Sequence, residues 1–176
     1  VLVDNDVNIM ALGEHATMYP HVEQMLFVKV ATGIGAGIIS GGRLHRGAQG
    51  TAGDLGHVAA LHGGDTRCTC GNLGCLEAVA SGPAIVRALR ERGVDLQDSS
   101  DLVRLAKAGD LAAATAIRDA GREIGHVLAT CVSLLNPSVI VVGGRLAQSA
   151  ESLLAGIREI VYGRSLPLAT GDLQIV

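Results

Sequence analysis

The chain has 176 residues, a formal charge of −3 at pH 7 and 48% hydrophobic residues, enough apolar material for one domain or lobe with a proper core. Aromatic residues make up only 2%, which removes base-stacking platforms, and the negative balance offers no basic face for nucleic acid. Mean hydropathy of +0.38 excludes a disordered chain.

No apolar run is long enough to span a bilayer and no signal peptide is visible, so no membrane role is expected. The thiol usage fits a reducing cytoplasm. The opening residues Val1–Val3 read as the inside of a strand with no initiator Met, and Leu173–Val176 as a strand cut short. The expectation is a fragment.

The apolar start stops in a polar cluster, Asp4, Asn5 and Asp6, before a helical pattern carrying Met10, Ala11 and Glu14. These residue types cap helices well. A strand-to-helix junction is also where α/β proteins keep their chemistry. MLFVKV follows as a short buried strand with Lys29 its one charge. TGIGAGIISGGRL then reads as a glycine turn, an apolar strand and a Gly41–Gly42 hairpin tip. A dinucleotide fingerprint would need a helix at this point, and the Ile38–Ile39 run says strand. Thr32 and Gly33 can still present N–H groups to a phosphate, although an ordinary tight turn serves the same residues.

The stretch 47–77, GAQGTAGDLGHVAALHGGDTRCTCGNLGCLE, is the densest in chemistry. GDLGHVAAL is expected to be a third strand leading into a loop of Gly, Thr and Asn that holds Cys68, Cys70 and Cys75. Three thiolates so close on a flexible backbone can converge on one tetrahedral ion, with His57 or His62 completing the shell. The alternatives are a disulfide or unbridged buried thiols. A Cys-x-Cys disulfide is a strained small ring, and pairing either member with Cys75 leaves an odd thiol. Four protein ligands leave no open position, so zinc here would be structural.

Ser81 and Pro83 mark the next helix start, as cap and first helical residue, with Ala84, Ile85, Ala88 and Leu89 inward and Gly93 its end. A short helix is expected over 100–108. Asp110 then caps a long helix with Ala113, Ile117, Ala120, Ile124, Val127, Cys131 and Leu134 on the buried stripe, halted by Asn136–Pro137. Cys131 belongs to that stripe and is not a ligand. VIVVGG is a buried strand, followed by a helix with Leu153, Ile157 and Ile160 inward. Its Gly143–Gly144 junction reads equally as a nucleotide edge or as a tight βα turn. His126 reads as surface or core, and His15, His21 and His45 carry no partner signal. Strands, then helices, then βαβ describe an α/β lobe with a mixed sheet and helical cover.

The motifs N-D-V-N at 5–8, T-G-I-G-A-G-I at 32–38, G-x-x-G-D-x-G-H at 50–57 and C-x-C-G-N-x-G-C-L-E at 68–77 resemble the ROK family of bacterial repressors and sugar kinases. The resemblance covers essentially the whole chain. It implies the actin/hexokinase-like (ribonuclease H-like) ATPase fold, with residues 1–176 as the C-terminal sugar- and zinc-binding lobe. It implies one zinc on His57, Cys68, Cys70 and Cys75, and a sugar pocket of Asn5, Asp6, Asp54, His57 and Glu77. In the family's kinases the aspartate matching Asp6 takes the proton from the sugar hydroxyl that attacks the γ-phosphate of Mg-ATP. Zinc would hold the 57–77 loop so that His57 and Glu77 meet the sugar in fixed geometry.

Two departures matter. The family usually has Glu where this chain has Asp54, which draws the carboxylate back by about one C–C bond, ~1.5 Å. The family's N-terminal lobe with its D-x-G-G-T phosphate clamp is missing here, as is any helix-turn-helix. The wording of N-D-V-N, G-D-L-G-H and the closing segment resembles the family's regulators more than its kinases. The expectation is therefore a sugar-sensing regulator lobe that reaches DNA only through an N-terminal domain outside this sequence. A sugar kinase is the alternative, this stretch alone being inactive. Dimers or tetramers are what the family resemblance implies for assembly.

Overall fold

A computed structural model of the chain describes residues 4–176, so the strand expected at Val1–Val3 lies outside the described residues. The chain opens with α1 (Asp6–Met18), followed by β1 (Gln24–Val30), β2 (Ile34–Ser40) and β3 (Arg43–His45). A 3-10 turn at Leu55–His57 and the cysteine loop lead to α2 (Leu76–Ala80), α3 (Gly82–Glu91), α4 (Ser99–Lys107) and α5 (Leu111–Leu135). Then come β4 (Val139–Gly143), α6 (Ala150–Arg164), α7 (Pro167–Thr170) and β5 (Gln174–Ile175).

The five strands form one mixed sheet in the order β3-β2-β1-β4-β5. β1–β2 and β2–β3 are antiparallel, whereas β1–β4 and β4–β5 are parallel, with β1 as the hinge between the two modes. Period-two alternation splits the sheet's side chains between two cores. Met25, Phe27, Ile39, Val139 and Val141 pack with Val7 and Ala11 of α1 on one face. Leu26, Val28, Val30, Ile140 and Val142 pack with Ile117, Ile124 and Leu128 of α5 and Leu153 and Ile157 of α6 on the other.

Helix starts follow local chemistry. Asn5 caps α1 by accepting from the N–H of Val7, Ser81 caps α3 through Ala84, and Asp110 caps α5 through Ala113 at 2.8 Å. Asp98 caps α4 through Ser100 and Asp101, so this helix begins at Ser99, one residue before the expected start. Asn136 ends α5 in the left-handed region at φ 44°, ahead of Pro137. The hairpin, the buried β4 and the terminal strand β5 stand where their sequence patterns put them.

Four expectations need correction. Residues 54–61 are not a strand: Leu55 and Val58 close turns on the carbonyls of Gly53 and Leu55, and only Ala59 finds a bridge partner, Cys75. The third strand is instead Arg43–His45. Pro83 is the second residue of α3, because Ser81 serves both as C-cap of α2 and as N-cap of α3, leaving the first position to Gly82. Leu134 is 78% exposed. The 3.6-residue repeat brings Leu135, one full turn after Cys131, round to the core in its place. On α6 the fully buried position is Val161, with Ile160 half-buried beside it.

The two leucines of α5 provide a check on this packing. Leu128→Ala should cost about 2–5 kcal/mol, as for a buried leucine that leaves a cavity. Leu134→Ala should stay within about 0.5 kcal/mol. Urea melts of the two variants decide it, and equal losses would refute the assignment of the buried face.

Candidate functional site

β3 pairs only with Ile38–Ser40 of β2, so among the described residues the first half of β2 has no strand on that side. Its outward N–H groups are met by other groups. The N–H of Ile34 donates to Glu77 Oε2 at 3.1 Å, and that of Ala36 to the carbonyl of Gly53 at 2.7 Å. Glu77 lies on the first turn of α2, directly after the cysteine loop, and Gly53 directly precedes Asp54. The unpaired edge thereby draws both ends of the 53–77 segment onto β2. Gly33 leaves room for this approach, since a Cβ there would stand 2.6 Å from Glu77 Oε2.

The result is a recess of about 150 Å³ between the N-terminus of α1 and the start of β2, lined by Asn5, Asp6, Asp54 and Glu77 together with Lys29 and Gly33. The lining comes from segments far apart in sequence. Asp6 forms an ion pair with Lys29. Asp4, beside them, accepts from Asn8 at 2.7 Å and from Arg46 at 2.8 and 3.0 Å. The Asn8 amide and the Arg46 guanidinium together hold the Asp4 carboxyl below its usual range. Sequence reasoning passed over Lys29 and the Asp4–Arg46 pair. The one signal for Lys29 was a lone charge in an otherwise apolar strand.

His57 is not among the residues lining this recess, and its Nδ1 lies 3.6 Å from Cys68 Sγ. Cys70 and Cys75 sulfurs are 3.7 Å apart, and the four donor atoms of His57, Cys68, Cys70 and Cys75 all lie within 4.8 Å of one another. A tetrahedral ion with metal–sulfur bonds of ~2.3 Å has edges of about 3.8 Å, so the four donors fit one ion. All three thiols are free, which removes the disulfide reading. His62 is not the fourth donor. Its Nδ1 pairs with Glu123 of α5, and its ring lies edge-on to His126 at 6.1 Å.

The loop is shaped by its own backbone. Cys68 donates to Asn72, Gly74 to Thr66, Ala60 to Gly74 and Leu76 to Val58, all at 2.8–2.9 Å. The Cys70 backbone N–H lowers the Cys68 thiol to about 7, aided by the neighbouring thiols and His57 against the opposing effect of burial. Burial, with the adjacent sulfurs, pushes Cys75 up to about 12. Burial disfavours the His57 imidazolium, yet the Cys68 sulfur and the charges of Asp54 and Glu77 outweigh it and raise its pKa. The cluster therefore gives up one proton readily and holds the next, and a metal ion would replace the remaining protons.

Thr32 and Gly33 follow β1, and Gly143 and Gly144 end β4. Since Lys29 pairs with Gly143, both turns stand at the same edge of the sheet. Gly144, at φ 95°, sits where a Cβ would crowd the backbone of Val30. Close packing thus accounts for Gly144.

Taken together, the mixed sheet, its helical cover and the cleft beside a Cys3His cluster define a lobe of the actin/hexokinase-like fold. A ROK family profile matches residues 1–165, and the chain belongs to the ROK family. It is 34% identical over 184 residues to the DNA-binding transcriptional dual regulator NagC of Escherichia coli K12, covering 99% of this chain and 45% of that protein. The crystal structure of a ROK family transcriptional regulator, a homologue of the E. coli MLC protein, superposes with a TM-score of 0.90 at 32% identity, over 98% of this chain and 46% of that one. A ROK family glucokinase from Streptomyces griseus, in complex with glucose and AMPPNP, does so at 0.88 and 30% identity, over 100% of this chain and 62% of that one. The chain spans about half the length of the curated relatives it matches, which include repressors and glucokinases alike. Among the described residues no helix is long and apolar enough to cross a membrane.

The protonation pattern of the cluster predicts its pH response. Since an ion must displace protons from the thiols, metal content should fall steeply as pH is lowered from about 8 to about 5. Elemental analysis after dialysis at each pH reads this out. Cys70→Ser should lose most of the metal at every pH, and metal retained undiminished at the acid end would refute the assignment.

Proposed function

We propose that these residues form the sugar-sensing, zinc-stapled lobe of a ROK transcriptional regulator. The observation that carries the reading is the convergence of Asn5, Asp6, Asp54 and Glu77, from separate segments, on one recess beside the Cys3His cluster. Carboxylates suit a sugar because one group accepts charge-assisted hydrogen bonds from two neighbouring hydroxyls. The cluster's donors bracket the recess: His57 stands three residues after Asp54, and Cys75 two before Glu77. Zinc, as a structural ion, would fix both flanks at once without offering a site for water. His57 has Nδ1 on the metal side, which leaves Nε2 as the nitrogen for a sugar hydroxyl.

In this reading DNA is bound through an N-terminal domain beyond these residues, the sugar acts as effector, the protein works in the cytoplasm and copies associate as dimers or tetramers. The shorter Asp54, drawn back by ~1.5 Å, reaches the sugar through a bridging water rather than directly.

A specific observation keeps the kinase alternative: Asp6 lines the recess at the first residue of α1, where a base for the sugar hydroxyl would stand. There, Mg-ATP would lie along the Thr32–Gly33 and Gly143–Gly144 edge, and a positioned carboxylate would share the barrier with an aligned phosphate. Asp6→Asn separates the two. For the regulator, calorimetry should show sugar affinity lowered about tenfold, with no sugar-dependent ATP consumption by the wild type. A kinase would instead lose about 10²–10⁴ in kcat at little cost in KM. Measurable wild-type phosphorylation of glucose or N-acetylglucosamine would overturn the regulator assignment.

A further inference from the structure

Lys29 has no role in any of the chemistry above, yet it projects into the recess. It is the penultimate residue of β1, and its register partners are both glycines, Gly35 on β2 and Gly143 on β4. Neither register partner carries a side chain of its own, the Phe27 ring lying over Gly143 and Val7 over Gly35, and the Lys29 ammonium reaches Asp6 at the N-terminus of α1. A lysine there is opposed by the helix dipole, and the charge of Asp6 offsets this. The Lys29 side chain is only 25% exposed, whereas Asp6 is 67% exposed and has no other hydrogen-bond partner among the described residues. An exposed aspartate held by nothing else samples several rotamers, and a ligand must then freeze one of them at an entropic cost.

We propose that Lys29 is a positioning residue of the sugar site: its ammonium anchors Oδ2 of Asp6, leaving Oδ1 as a fixed acceptor for a ligand hydroxyl. The inference rests on the sugar-site reading above. Lys29 leaves the recess with one ammonium against the carboxylates of Asp6, Asp54 and Glu77, and spends that charge on Asp6 alone. Asp54 and Oε1 of Glu77 stay available to hydroxyl donors, Oε2 of Glu77 being taken by the N–H of Ile34. Lys29 acts on the ligand through Asp6, so the two residues must be energetically coupled.

The test is a double-mutant cycle on the full encoded protein. Calorimetry on the wild type with D-glucose, D-xylose and N-acetyl-D-glucosamine selects the tightest ligand as probe. Lys29→Met and Asp6→Asn should each weaken it about tenfold, while the double variant should be no more than about twofold weaker than Asp6→Asn. Lys29→Arg should recover binding to within about threefold of wild type, since it keeps the charge on Asp6. Unchanged affinity in Lys29→Met, multiplicative losses in the double variant, or no recovery with Arg would each overturn the proposal. Lys29→Gln runs in parallel as a second neutral variant. If both neutral variants lose their cooperative melt or their bound metal, Lys29 is structural and the proposal falls. A wild type that binds none of the three sugars sinks the sugar-site reading and this inference with it. Wild-type binding matched by Lys29→Met sinks the inference alone.

Discussion

β3 is three residues long while the strand beside it has seven, and this mismatch shapes the site. A strand edge inside a folded protein carries N–H groups that must be satisfied, because burying them unpaired costs about as much as a lost hydrogen bond. Here the exposed half of β2 is satisfied by the Glu77 carboxylate and the carbonyl of Gly53. Two points some 24 residues apart in sequence are thereby fastened to one strand, and the segment between them must close into a loop. The cysteine cluster sits inside that loop. The placement of the Cys3His cluster and the recess geometry are therefore two consequences of one unfinished sheet edge.

The loop's stability has two sources of different character. Its backbone hydrogen bonds, from Cys68 to Asn72, Gly74 to Thr66 and Leu76 to Val58, set its path. The thiols and His57 then stand where a single tetrahedral ion would satisfy all four, and it would have to displace protons held unevenly by the thiols. His62, which also lies in the loop, is drawn off to Glu123 and docks the loop on α5. A long helix packed against the sheet on its opposite flank thus supports the loop from below.

Across the sheet edge, the recess combines carboxylates from α1, α2 and the 3-10 turn with the lysine of β1. Parallel pairing of β1 with β4 sets the turns after both strands side by side at that same edge. Any ligand reaching from the recess toward Gly144 would cross the ends of these two strands, where open α/β sheets bind their ligands. A regulator and a glucokinase of the ROK family both superpose on this lobe closely.

Local chemistry made much of this legible in the sequence. The caps Ser81 and Asp110, the Gly41–Gly42 hairpin tip, the helix stop at Asn136 and the apolar run of β4 are each decided within a few residues, so pattern alone located them. The cysteine spacing located the Cys3His cluster, because donors in one short loop need little long-range information. Long-range partners left no such mark. GDLGHVAAL, residues 53–61, reads as a strand, yet Gly53 and Glu77 bind the edge of β2 instead. Spacing alone left His57 and His62 equivalent; the family resemblance named His57, and Glu123, some sixty residues away, holds His62. Lys29 could be read only as a stray charge, since its meaning depends on two glycine neighbours and an aspartate contributed by three other segments. Composition, capping and spacing were determined by the sequence alone. Which carboxylate meets which cation was decided by the tertiary structure, because strand register, unlike a helix turn, joins residues whose separation along the chain carries no period.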